Sequence, residues 1–308
     1  MSKDIDIRLE EGKTKEVLNE FVEENKIELW NDGFVELLEV SGSDQIIDND
    51  ATISTGKAYN KELQDQRTDN QRRNLLRYLS RHEHTSPIEM GTVKFYARIP
   101  IFVMRQFVRH RTASLNEYSG RYSKMIESFY VPTPERVKKQ CGLNKQGSGE
   151  SFTEYEQKQI SLRVEAMNNY AWSVYQELLE QGVSNELARI VLPVTVYTEV
   201  VWKINLHNFF HFAKLRTDSH AQEEIQDLSN AMVDLTRYYF PHLFEAWDDY
   251  SRCAYTLSRM EQRALADFIR DGMLSKDHKV YEMSKREYND FKNFLAMIRG
   301  LGEKRCIR

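Results

Sequence analysis

The chain has 308 residues, 41% hydrophobic and 29% charged, an ordinary soluble composition that excludes collagen-like and disordered classes. Forty-three Lys and Arg against 47 Asp and Glu leave a net charge of -4, so no chain-wide cationic surface serves nucleic acid or anionic lipid. Any basic site must be local.

Residues 1–28 hold nine acids and five bases around Val17, Leu18, Phe21 and Val22, and read as an acidic N-terminal extension, a short surface helix or a partly ordered arm. The opening MSKDIDIRLEEGK has no apolar signal core, and no run approaches a membrane span. Three scattered cysteines (Cys141, Cys253 and Cys306) make neither a zinc knuckle nor a disulfide framework. Together these features point to a cytoplasmic protein.

A strand is expected over 34–40, closed by Ser41 and Gly42, and a charge-rich helix over 57–80. Residues 93–99 alternate at period two, a half-buried strand, and Pro100 suits the first turn of a following helix. The stretch 141–151 reads as an exposed Gly- and Ser-rich loop before a long helix over 153–181 that stops at Gly182. Ser184 is placed to cap a short helix through Leu192, Pro193 breaks it, and β-branched residues at 195–202 read as a strand. Helices begin near 206 and 220, and a helical, weakly basic extension occupies 255–308, leaving 29–254 as the main domain.

Between Arg98 and Lys124 lie six bases (Arg98, Arg105, Arg109, Arg111, Arg121 and Lys124) against the single acid Glu117. Such an excess in an acidic chain suggests an anion. On a helix starting at Ile101, Arg105, Arg109 and Gln106 fall at about 0°, 40° and 100°, opposite Val103, Met104, Phe107 and Val108. Arg111 would enter the apolar arc, so the helix is expected to end near His110 and to deliver its polar row into a loop over 112–121. Guanidinium forks suit phosphate, whereas a solvated basic face is the plain alternative. Glu117 is either their counter-ion or a group that holds them and accepts from ligand hydroxyls and imides; spacing leaves both open. Arg189 interrupts the apolar run 187–194, where a guanidinium needs an anionic partner. Arg216 shares its helical face with Phe209 and Phe212, not with His207, His211 and Lys214, so it points to the buried side.

Arg109-His110-Arg111, seven residues, then Ser119 form an RHR-x7-S pattern, and RQFVRHRTASLNEYSGRYS closely resembles the flavin-dependent thymidylate synthase family. The resemblance continues through His82–Pro87, Glu186–Pro193, Asn205 and Leu215–Gln222, and covers roughly 29–250. It implies an α+β fold, a mixed β-sheet flanked by long α-helices, assembled as a homotetramer whose active sites are shared between subunits. It also implies reductive methylation of dUMP to dTMP in de novo dTMP biosynthesis. Methylenetetrahydrofolate is the one-carbon donor in that reaction, and NADPH is the reductant through FAD.

By the same resemblance dUMP is held by Gln106, Arg109, Glu117, Tyr118, Ser119, Gly120, Arg121, Arg189 and Arg216. FAD lies against His84, Ser86, Arg109, His110, Arg111, Glu117, Asn205, Leu206, His207 and His211, where positive charge suits a reduced, anionic flavin. Arg216 and Ser119 are the implied catalytic residues. Arg216 stabilises charge on the uracil imide in place of covalent attack, and Ser119 polarises the base because no histidine in its local motif plainly serves as its base. None of the three cysteines lies in a family motif. His207 and His211 stand where many relatives carry arginine and asparagine, and the stretch 50–54 lacks an arginine common in relatives, which puts a flavin contact by Ser54 in doubt. His207 and His211 lack a third ligand for a metal. Two rivals remain: a single-stranded nucleic-acid groove with Phe107, Tyr118 and Tyr122 stacking on bases, disfavoured by net charge, and a related flavoprotein that methylates another pyrimidine nucleotide.

Overall fold

The computed structural model describes residues 25–54, 67–140, 148–271, 274–281 and 283–300. Two compact units divide the chain between Ala246 and Trp247. In the first, strand β1 (Lys26–Glu28) turns through Asn31, whose φ is 25°, into β2 (Phe34–Ser41). Residues 26–28, expected within the N-terminal arm, are therefore the edge of a sheet, while 1–24 lie outside the described residues. Helices α1 (Asp44–Ile53) and α2 (Asp69–Arg81) follow. The capping box of Thr68 and Gln71 starts α2, which replaces the longer helix expected over 57–80; residues 57–66 of that range are not described.

Next come β3 (Thr92–Pro100), α3 (Ile101–Phe107), β4 (Ala113–Glu117), β5 (Lys138–Gln140) and β6 (Ser148–Ser151). The main sheet runs β1-β2-β3-β7-β4, with β7 (Tyr197–Asn205) between β3 and the edge strand β4. The mixed sheet of the sequence reading is antiparallel in every described pair. Val93, Phe95, Ala97 and Ile99 of β3 are at most 2% exposed, so its period-two alternation does set one face against the core.

Helix α4 (Glu154–Glu180) makes the expected stop at Gly182, whose φ of +84° suits glycine, and starts with a capping box at Thr153. Residues 148–151 pair with β5 instead of continuing the expected loop, whose 141–147 part is not described. Beyond α4, α5 (Asn185–Ala188) covers only part of the helix expected through Leu192; Arg189–Val191 tighten into a 3-10 turn, and Ser184 makes no side-chain cap. Strand β7 starts later and ends later than the β-branched run 195–202, because its register follows β3 through Asn205. Helices α6 (Leu206–Arg216), α7 (Glu223–Arg237) and α8 (Pro241–Trp247) complete this part of the chain.

The core that positions the site is aromatic. Phe107 of α3 lies 4.6 Å from Trp202 of β7, and Phe212 of α6 lies 5.2 Å from the same indole. Rings at these separations contribute about 0.5–1.5 kcal/mol per pair beyond their burial. They fix the C-terminal ends of α3 and α6 against one strand. The second unit holds α9 (Arg259–Asp271) and α10 (Lys285–Gly300) around Ala264, Tyr281, Met283, Tyr288, Phe291 and Leu295.

Candidate active site

Helix α3 starts without a side-chain cap; the amides of Ile101 and Phe102 donate instead to the carbonyls of Val196 and Val194, each at 3.0 Å. As expected, Val103, Met104 and Phe107 are buried while Arg105 and Arg109 face solvent. The helix stops at Phe107, three residues before the expected His110, because the chain must straighten to pair with the edge of β7. The expected loop over 112–121 accordingly contains β4, with Ala113 opposite Ile204 and Glu117 opposite Val200.

That strand separates the motif into two ends. From Ala113 to Tyr118, whose amide continues the ladder to the Glu199 carbonyl, an extended chain spans on the order of 16 Å. At the first end, Arg216 donates from Nε to His110 Nε2 at 3.0 Å. Gln106 donates to Gln222 at 2.6 Å, and Gln222 donates to Glu224 at 2.7 Å. Glu224 is 3% exposed and also accepts from Tyr130 and from Arg136 Nε, each at 2.7 Å. Burial alone would raise the Glu224 carboxyl, but the bonds from Arg136 and Tyr130 outweigh it and hold its pKa below the ordinary value. A cleft of about 640 Å³ opens here, lined by Gln106, Arg136, Arg216, His220 and Gln222 among others.

At the second end, Ser119 Oγ accepts from the Arg121 amide at 3.4 Å, and Arg121 lies 3.7 Å from Glu186. Gly120 is buried; a Cβ there would sit 3.1 Å from Arg189 Cδ, so the Arg189 side chain crosses directly over the Ser119–Arg121 turn. Arg189 is half-buried and, like Arg105, Arg109 and Arg111, has no ion-pair partner among the described residues.

Other expected residues fall as follows. Glu117 is exposed and accepts from Thr198 at 2.9 Å, so the described contacts do not pair it with the arginines. Arg98 leaves the basic cluster: its guanidinium donates to Glu199 at 2.7 Å, since alternation turns it to the other face of β3. Tyr118 donates its hydroxyl to the Lys124 carbonyl. Asn205 caps α6 through the Asn208 amide at 2.9 Å. Leu206 is 0% exposed, with its side chain in the core and its amide on Gly91. His207 is half-buried and His211 exposed, the latter ring 6.3 Å from that of His110. His84 and Ser86 are exposed, with His84 5.8 Å from Tyr78.

Burial first, then the charges of Arg216 and His211, lower the His110 pKa to about 4, so this ring is neutral, not a further cation of the cluster. Burial and Arg109 likewise hold Arg216 below the usual guanidinium range. Gln222, Glu224 and Arg136 had no assigned role in the sequence reading; Gln222 stands within the quoted motif, but the links to residues 88 to 116 positions away are tertiary.

Guanidiniums without ion-pair partners among the described residues and oriented amides, on an antiparallel α+β scaffold, make a site with the donor chemistry that suits an anionic ligand. The chain belongs to the family described as thymidylate synthase complementing protein, whose model matches residues 36–242. It is 38% identical to a flavin-dependent thymidylate synthase of Wolbachia pipientis wMel over 91% of this chain and 95% of the relative. A flavin-dependent thymidylate synthase of Dictyostelium discoideum is 44% identical over 70% and 68% of the two chains. Among solved structures, the UMP/dUMP methylase PolB from Streptomyces cacaoi bound with 5-Br dUMP superimposes with a TM-score of 0.66 at 34% identity, over 73% of this chain and 99% of that one. The same protein bound with 5-Br UMP gives 0.64 at 30%, over 73% and 98%.

Proposed function

We infer that this chain is a flavin-dependent thymidylate synthase that converts dUMP to dTMP with methylenetetrahydrofolate as one-carbon donor and NADPH as reductant. The observation that carries this is family membership over residues 36–242, a span that includes the cleft residues Gln106, Arg216 and Gln222. FAD, when bound, passes reducing equivalents from NADPH to the transferred carbon. The exposed and unpaired Arg109 and Arg111 fit its phosphates, with His84, Ser86, His110, Glu117, the Asn205–His207 segment and His211 as the remaining contacts of this reading.

Gln106, Arg109, Arg189, Arg216 and the turn from Glu117 to Arg121 hold dUMP. Arg216 stabilises negative charge on the uracil imide, and Ser119 polarises the base. β4 runs between the Ser119 turn and the end of the motif that meets Arg216, and in this reading different subunits supply the two to one nucleotide. A homotetramer with shared sites is part of this reading, and the exposed apolar residues Met167, Leu187, Ile190 and Val194 are surface available to it. A cytoplasmic location belongs to the same reading. No described helix is long and apolar enough to cross a membrane.

The test is anaerobic: the absorbance of oxidised FAD is followed on adding NADPH, and dTMP is assayed after methylenetetrahydrofolate and dUMP. Product that disappears in Arg216→Ala while FAD stays bound supports the reading; absence of flavin binding overturns it. UMP is run beside dUMP, since PolB is a UMP/dUMP methylase. Product from UMP alone moves the assignment to another pyrimidine acceptor.

A further inference from the structure

We propose that His110 is a positioning residue for Arg216: its neutral imidazole accepts from the guanidinium Nε and so aims the remaining N–H groups into the cleft. This rests on the reading of Arg216 as the group that holds the pyrimidine. A guanidinium carries only donors, so the 3.0 Å contact between Arg216 Nε and His110 Nε2 requires a lone pair on that nitrogen. The ring proton is then on Nδ1, and one tautomer is fixed. Among the described residues the two Nη groups of Arg216 have no protein partner, and Arg216 lines the cleft.

The ring itself is held. Phe212, fully buried in the aromatic core, meets it edge to face at 4.9 Å and 89°. Phe212 and Arg216 are one turn apart on α6, so a single helix face supplies both the support and the group to be aimed. The titratable and charged groups around His110 are Arg216 and His211, with Arg109 adjacent in sequence and acting on Arg216. Added positive charge here disfavours protonating the ring. The RHR triplet therefore combines two cations with one neutral acceptor, and the acceptor links this motif to the arginine of α6.

The experiment uses the full-length holoenzyme. His110→Phe keeps a ring against Phe212 and removes the acceptor, whereas His110→Gln returns an acceptor oxygen near the position of Nε2. The loss of one charge-assisted hydrogen bond predicts about a tenfold rise in both the dissociation constant and the KM for dUMP in His110→Phe. FAD content is measured in both variants and dUMP affinity is compared in the FAD-loaded fraction, where His110→Gln is expected to recover it to within about threefold. Wild-type dUMP affinity in His110→Phe overturns the proposal, as does equal loss in both variants with normal FAD content. Magic-angle-spinning 15N spectra of histidine-labelled wild-type protein, with the His110 signal identified by its absence in His110→Gln, decide the matter without a stable Phe variant. A proton on Nδ1 supports the clamp, and one on Nε2 rules it out. Arg216→Ala is measured in parallel: if it leaves dUMP affinity unchanged, the reading of the nucleotide site fails, not the clamp.

Discussion

Gln222 lines the cleft, and His110 bonds Arg216, which lines it too. The folded His110 pKa lies near 4, below its ordinary 6.5, so the neutral form is favoured on folding. That contribution is complete above pH 6.5 and is lost as pH falls toward 4. The shift corresponds to about 1–2 kcal/mol once solvent screening of a half-buried ring is allowed for. Urea unfolding at pH 7 and pH 4.5 is expected to show this loss in the wild type and not in His110→Phe. Gln222 occupies the middle of a relay from Glu224 to Gln106, and Gln222→Met removes both of its bonds. A neutral hydrogen bond is worth about 1 kcal/mol, so KM for dUMP is expected to rise about fivefold with kcat nearly unchanged, measured by steady-state kinetics.

Helix α6 depends on a close approach that only glycine permits. Its first residue, Leu206, donates its amide to the Gly91 carbonyl at 2.9 Å, and a Cβ on Gly91 would sit 2.5 Å from Leu206 Cδ1. The leucine is fully buried, so any shift of its Cδ1 is passed to the core around it. Gly91→Ala is expected to cost about 1–3 kcal/mol by overpacking, read as a lower thermal midpoint. It also displaces the helix that carries His207, His211 and Arg216, so FAD retention and dUMP affinity are expected to fall together. By contrast β4 is mostly exposed and is held by backbone pairing to β7 and the Thr198–Glu117 hydrogen bond, which is why its sequence, Ala-Ser-Leu-Asn-Glu, reads as a loop.

In the proposed reading the site is completed only in the oligomer. Shared sites predict that two inactive variants, Arg216→Ala and Arg189→Ala, regain activity when co-expressed as mixed oligomers. If the two arginines of one site come from different subunits, about a quarter of random sites contain both, and roughly that fraction of wild-type kcat is expected. No recovery means each chain completes its own site. Sedimentation is expected to show four 36.4 kDa chains.

The sequence by itself determined the alternation of β3, the stop of α4 at Gly182, the amphipathic face of α3 and the family motifs, because each is written in local spacing and residue type. Only the tertiary structure decided that β4 is a strand, since it pairs through the open edge of β7. The same holds for Arg98 and Glu199, which meet across neighbouring strands, and for Gln106, tied to Glu224 through Gln222. The charge state of His110 is tertiary as well, because desolvation and a guanidinium 106 positions away in the chain set it. Spacing shows which residues share a face; burial and partners far along the chain decide what those residues can do there.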